Sequence, residues 1–262
     1  MEHLEGRQSV LAALSARQRR FDVILIRHGT HSELIADILE FARQLNIAVR
    51  YVESREIDAL AHGSSHGGVI AVCSAKPRTT LDQLLEIMHG LTDPPLLLLL
   101  EGIDDARNLG FTIRSAEALG AHALLIKKHL WDFDPIEVAR PASGAYERLP
   151  LVQIDDIGAI EKLQSRGLKL IGCIAGAKRT IYQADFTAPT IVAIGGEKRG
   201  LSGAVRGICD GFVSIPAKSK ASSLSLSHAA AIVLAEAMRQ RSAVHLATRS
   251  NGTDQDSSEA SK

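Results

Sequence analysis

Five consecutive leucines, residues 96–100, follow Asp93-Pro94-Pro95 and precede Glu101-Gly102. An unbroken apolar run of this length is a strand covered on both faces, and it is far too short to cross a bilayer. The unit recurs down the chain. Residues 121–126, 168–171 and 191–194 read as further strands with helices between them, and 213–215 adds another. That alternation predicts an α/β fold built on a mostly parallel sheet.

Ahead of it, residues 1–75 read as a small α/β unit of their own. A helix over 9–15 leads to a strand over 23–26, a helix over 33–45, a strand over 48–52 and a closing strand over 69–73. Residues 76–80, Lys-Pro-Arg-Thr-Thr, are polar, carry a proline and precede a helix over 81–88, so they read as a linker. A second domain then occupies 81–247. The polar tail, 248–262, has nothing to bury and is expected to be disordered.

Charge narrows the function. Lys+Arg and Asp+Glu are 30 each in 262 residues, so no global basic excess marks a nucleic-acid binder, and any such contact must be local. The obvious local patch is Arg17, Arg19 and Arg20, with Arg27 shortly after, although a solvated turn explains the same residues. Three cysteines, Cys73, Cys173 and Cys209, are odd in number and far apart, which argues for reduced thiols and a cytoplasmic location. The amino terminus lacks the pattern of a signal peptide, and no membrane segment is expected. His62 and His66 sit in a Gly/Ser loop with no third ligand near in sequence, so no metal site is expected. Residues 172–180 fail the phosphate-loop pattern because Ala177 stands where Gly must precede Lys178.

Three segments carry the chemistry. The first runs from Leu98 to Gly120 and contains Asn108, suited to capping a helix over 109–120, and Arg114, an odd residue in an apolar helix. Six residues of helix turn through about 600°, so the two side chains lie on different faces and any shared site needs other elements. The second, residues 191–203, ends a strand in Gly195-Gly196 and projects Glu197 from the turn. The third, residues 213–240, is a strand, a proline break, a serine-rich loop with Ser223, Leu224 and Ser225, and a helix of small residues.

In this order and spacing the three resemble the sequence motifs of the SpoU (TrmH) family of RNA ribose 2'-O-methyltransferases, of the SPOUT superfamily. Residues 140–150 resemble the family's Ser-Ala-Gly-Ala stretch, and His66-Gly67-Gly68-Val69 resembles the turn closing the amino-terminal domain in the ribosomal-RNA branch. The resemblance implies a carboxy-terminal SPOUT domain with a trefoil knot, and a small amino-terminal RNA-binding domain of ribosomal-protein-like type. It also implies S-adenosylmethionine as methyl donor, RNA as partner, most of all 23S ribosomal RNA, and a homodimer. Transfer RNA is the alternative substrate, and a non-catalytic RNA-binding relative is the alternative class. By the same resemblance Asn108, Arg114, Glu197 and Ser223 are catalytic, and Gly195, Gly196, Ile215, Leu224 and Ser225 hold the cofactor. Read alone, Asn108 and Ser223 are helix caps, Arg114 is an ion-pair residue and Glu197 a solvated turn. Gly195-Gly196 would then be a tight turn, with Ile215 and Leu224 in the core. Ser225 departs from the family's usual Asn, and a serine cannot match both the donor and the acceptor of an amide.

Overall fold

The computed structural model describes residues 1–62, 66–127, 132–218 and 224–259, with side chains to Val244. The amino-terminal sheet has the order β1-β4-β2-β3, formed by β1 (Glu2–Glu5), β2 (Phe21–Arg27), β3 (Ala48–Val52) and β4 (Val69–Cys73). β2 runs parallel to β3 and antiparallel to β4. Helices α1 (Arg7–Ala16), α2 (Ala36–Gln44) and α3 (Ser54–Leu60) complete the unit. β1 is absent from the sequence reading. Its four residues, EHLE, are too few and too polar to announce a strand, and pairing with β4 makes it one.

The second sheet is parallel throughout, as the alternation predicts, in the order β10-β8-β9-β5-β6-β7. Its strands are β5 (Leu96–Glu101), β6 (Ala123–Lys127), β7 (Leu151–Ile154), β8 (Lys169–Cys173), β9 (Thr190–Gly195) and β10 (Gly211–Val213). All five leucines of β5 are fully buried. Leu96, Leu98 and Leu100 enter one apolar cluster and Leu97 and Leu99 the other, the two-residue period of a strand with two covered faces. Helices α4 (Leu81–His89) and α8 (Gly158–Gln164) pack on the second cluster. Helices α5 (Ala106–Ala118), α6 (Pro135–Ala142), α7 (Ala145–Arg148) and α10 (Leu226–Glu259) lie on the first, which continues into the amino-terminal unit through Val10 and Leu14 of α1. From β5 the chain builds outward to β6 and β7, then crosses to β8 and returns to β9. The crevice where sheet order reverses, the usual ligand position in such sheets, therefore lies at the carboxyl ends of β5 and β9. Glu101 and Gly195 are paired there.

Three expectations need correction. α5 begins at Ala106, not Leu109, and its cap is Asp105, whose Oδ1 accepts from the Asn108 amide at 2.7 Å. An aspartate three residues ahead of that donor satisfies it first, so the Asn108 side chain is not needed as the cap. α10 is helical to Glu259, where a disordered tail is expected from 248, since extending an existing helix needs no new nucleus. The segment 76–80 is docked on the second sheet: Lys76 is buried, and the Thr79 amide donates to Leu151 O at 3.1 Å.

Candidate active site

The carboxyl end of β5 is fixed by a buried acid. Glu101, 3% exposed, accepts from the Ser202 amide at 2.7 Å and the Ser202 hydroxyl at 3.0 Å, and it pairs with Lys127. Burial pushes its carboxyl up, but these donors outweigh burial and hold it below the ordinary carboxylate value. Ser202 also caps α9 (Gly203–Ile208). Glu101 thus ties the loop after β9 to the strand beside it, and a buried acid closing an all-leucine strand was its only sequence signal.

Gly195 and Gly196 occupy space that no side chain could share. A Cβ on Gly195 would lie 2.0 Å from the Gly200 carbonyl carbon, and one on Gly196 would lie 2.1 Å from Gly102 O. The room these glycines keep is filled by the protein's own loop backbones, not by a ligand alone as the sequence suggests. The two loops are further joined by Lys198 and Asp104 at 2.5 Å.

Against this folded turn lies a cavity of about 390 Å³, within the range of small-molecule sites. Gly195 at the end of β9 and Gly196 and Glu197 of the loop after it line the cavity, with Cys173 and Ile174 from the end of β8 and just past it, and Ile215, Leu224 and Leu226 from the chain between β10 and the start of α10. Five of the predicted site residues therefore share one cavity: Gly195, Gly196, Glu197, Ile215 and Leu224. Arg206 of α9 also lines it, and sequence reading missed it. The groups suit S-adenosylmethionine, with apolar side chains for an adenosine and a carboxylate for a cationic donor.

Ser225 stands between two lining leucines and begins α10, as its carbonyl accepts from the Ala229 amide at 2.9 Å. Its hydroxyl is 3.1 Å from Ser227 Oγ and 2.5 Å from His228 Nδ1. Ser227, buried, donates in turn to Asn108 Oδ1 at 3.3 Å. The first and third segments thus meet through serine hydroxyls, with Ser225 taking the cap that Ser223 alone would suggest. Ser223 lies outside the described residues. Arg114 is exposed, forms no hydrogen bond or ion pair with a described residue, and is not among the cavity's lining residues. The ion-pair alternative has no partner among the described residues.

The proposed RNA arginines divide. Arg17 and Arg20 are exposed and Arg27 is half-buried. Arg19 is 7% exposed and forks onto Glu147 of α7 at 2.9 and 2.8 Å, with Glu2 and Ser74 O each at 2.8 Å. It is a structural ion pair between the two halves and cannot touch RNA. Beside Arg27, His28 stacks on the exposed Tyr51 with ring centroids 5.9 Å apart, a pairing that sequence does not announce.

No group of three or more potential metal ligands occurs among the described residues, and no helix among them is long and apolar enough to cross a membrane.

Comparison with known proteins agrees with this geometry. Residues 95–235 match the SpoU rRNA methylase family, and residues 3–79 match the RNA 2'-O ribose methyltransferase substrate-binding family. The chain belongs to the SpoU rRNA methylase family and is a methyltransferase of RNA that draws on S-adenosylmethionine. A 23S rRNA (guanosine-2'-O-)-methyltransferase RlmB of Pseudomonas syringae is 36% identical over 93% of this chain and 97% of its own. One of the same name from Ralstonia nicotianae is 34% identical over 92% of this chain and 96% of its own. The crystal structure of the SpoU methyltransferase AviRb from Streptomyces viridochromogenes with AdoMet superposes with a TM-score of 0.76 at 28% identity, covering 91% of this chain and 89% of that one.

Proposed function

We propose that this protein methylates the 2'-hydroxyl of a guanosine ribose in 23S ribosomal RNA, acting as a homodimer in the cytoplasm. The observation that carries the reading is the meeting of all three sequence segments at one place, two around the cavity and the first joined to them through Asn108 and Ser227. The near-full-length relatives named for that reaction supply the substrate.

When bound, the cofactor supplies an electrophilic methyl group. The protein's task is to hold the ribose oxygen in line and to stabilise its charge as the hydroxyl proton passes to a phosphate oxygen of the RNA. A guanidinium does not lose its proton near neutral pH, so Arg114 serves as a fork that grips the target phosphate and stabilises the developing alkoxide. Asn108, held by Ser227, orients the ribose or that arginine. Glu197 fixes the turn and faces the cationic donor. Gly195, Gly196, Ile215, Leu224 and Ser225 form the donor's seat.

The dimer explains the position of Arg114. On α5, Arg107, Phe111 and Arg114 recur at helical spacing and all three are exposed, Phe111 by 49%. A second copy on this face buries Phe111 and carries Arg114 to the partner's cavity. In the same reading the carboxy-terminal domain carries a trefoil knot. RNA is gripped by the amino-terminal unit through Arg17, Arg20 and Arg27, with the His28–Tyr51 pair as a stacking surface. The three unpaired cysteines suit the cytoplasm.

Mapping ribose 2'-O-methyl groups in RNA from cells with and without the gene tests the reading. One 23S guanosine is expected to lose its methyl group. A full 23S complement, or a loss confined to transfer RNA, contradicts it.

A further inference from the structure

The cavity holds two opposed charges among its described lining residues, the carboxylate of Glu197 and the guanidinium of Arg206. Arg206 is exposed and forms no ion pair with a described carboxylate, yet its position is constrained. Its helix is anchored through Ser202 to Glu101. Its guanidinium carbon lies 5.9 Å from the centroid of the Phe212 ring, within reach of a cation–π contact. Phe212 is itself packed close over Gly172, where a Cβ would meet ring carbon Cδ1 at 2.8 Å. The arginine thus lies over an aromatic ring backed by a strand of the sheet, with no ion pair to a described acid.

S-adenosylmethionine carries a sulfonium, an ammonium and one carboxylate. An arginine in its cavity is repelled by the first two and attracted only by the third. We propose that Arg206 binds the α-carboxylate of the donor's methionine moiety, so that the cavity selects donors bearing that group. Glu197 then faces the cationic part of the same ligand. The proposal rests on the cavity being the donor site, and it assigns one group of that donor to one side chain. A planar fork meeting a carboxylate edge-on can make two parallel hydrogen bonds, which a lysine cannot reproduce.

Calorimetric titration of the full-length protein with S-adenosylmethionine and with its decarboxylated analogue tests this. The wild-type protein is expected to favour the carboxylate-bearing ligand by roughly 10- to 100-fold, the range of one charge-assisted contact. Arg206→Gln removes most of that preference by weakening S-adenosylmethionine alone, with affinity for the analogue within about twofold of wild type. Arg206→Lys recovers part of it. The side chain is exposed, so the melting temperature of both variants stays at the wild-type value, and folding does not confuse the result. An Arg206→Gln protein that binds both ligands as wild type does, or loses both equally, overturns the proposal. So does one that keeps donor selectivity and loses affinity for a ribosomal RNA transcript, which would give the guanidinium to a phosphate. Wild-type protein that binds neither ligand overturns the cavity's assignment, and that arm separates the two failures.

Discussion

Arg19 and Arg114 carry the same guanidinium in opposite surroundings. Arg19 is enclosed, with its side chain 1% exposed and Glu147 likewise. Removing it leaves a buried carboxylate uncompensated, so Arg19→Ala is expected to cost about 3–5 kcal/mol of stability. RNA affinity of the folded fraction stays unchanged, whereas Arg27→Ala weakens RNA binding and lowers its salt dependence. Denaturant melts and filter binding at two salt concentrations separate these outcomes. Arg114 has no described partner to lose. Arg114→Ala is therefore expected to leave the melting temperature and donor affinity unchanged while slowing single-turnover methylation by about two to three orders of magnitude. Arg114→Lys recovers little of that rate. A destabilised yet fully active Arg114→Ala protein would return the residue to a structural role. No sequence rule separates the two arginines, because the burial of Arg19 is decided by Glu2, Ser74 and Glu147, which come from three distant places in the chain.

Among the elements, β5 and the loop after β9 behave as one device. Gly195→Ala places a Cβ where the Gly200 backbone stands. Donor affinity and melting temperature are expected to fall together, which differential scanning and calorimetry on one preparation would show. Glu101 gives the device a pH response. Its carboxyl is held below its ordinary value of 4.5 in the folded state, so its contribution to stability is complete above that value. That contribution is lost as pH falls through the lowered value, where the folded state must take up the proton. Glu101→Gln removes this part of the acid transition, measurable as a shallower loss of stability below pH 4.5. The strands with continuous apolar runs were legible because burial on both faces leaves no polar residue to interrupt them. β1 and β7 were not, since four-residue strands owe their existence to a neighbour. Within the site, glycines and motif residues were legible from spacing. Ser227 and Arg206 were not, because a serine in a helix's first turn and an arginine on a short helix look alike in any sequence.

For the molecule as a whole, the two halves are bonded and not merely linked. Arg19 crosses to Glu147, and Lys76 donates to Glu147 O at 3.1 Å from within the supposed linker, with its ammonium pushed down by burial to about 8. Deleting residues 1–75 therefore exposes Glu147 and the apolar surface around Tyr146. The remaining domain is expected to keep its donor cavity, lose most RNA affinity and melt at a clearly lower temperature than the full chain, as calorimetry and RNA binding would show. The central claim is that these halves together deliver one ribose to the donor. Incubating the purified protein with unmodified 23S ribosomal RNA and methyl-deuterated S-adenosylmethionine, followed by mass spectrometry of the digested nucleosides, tests it most directly. The account predicts deuterated 2'-O-methylguanosine at a single position, formed about two to three orders of magnitude more slowly with Arg114→Ala. Label on a base, or no label with wild-type protein, would contradict it.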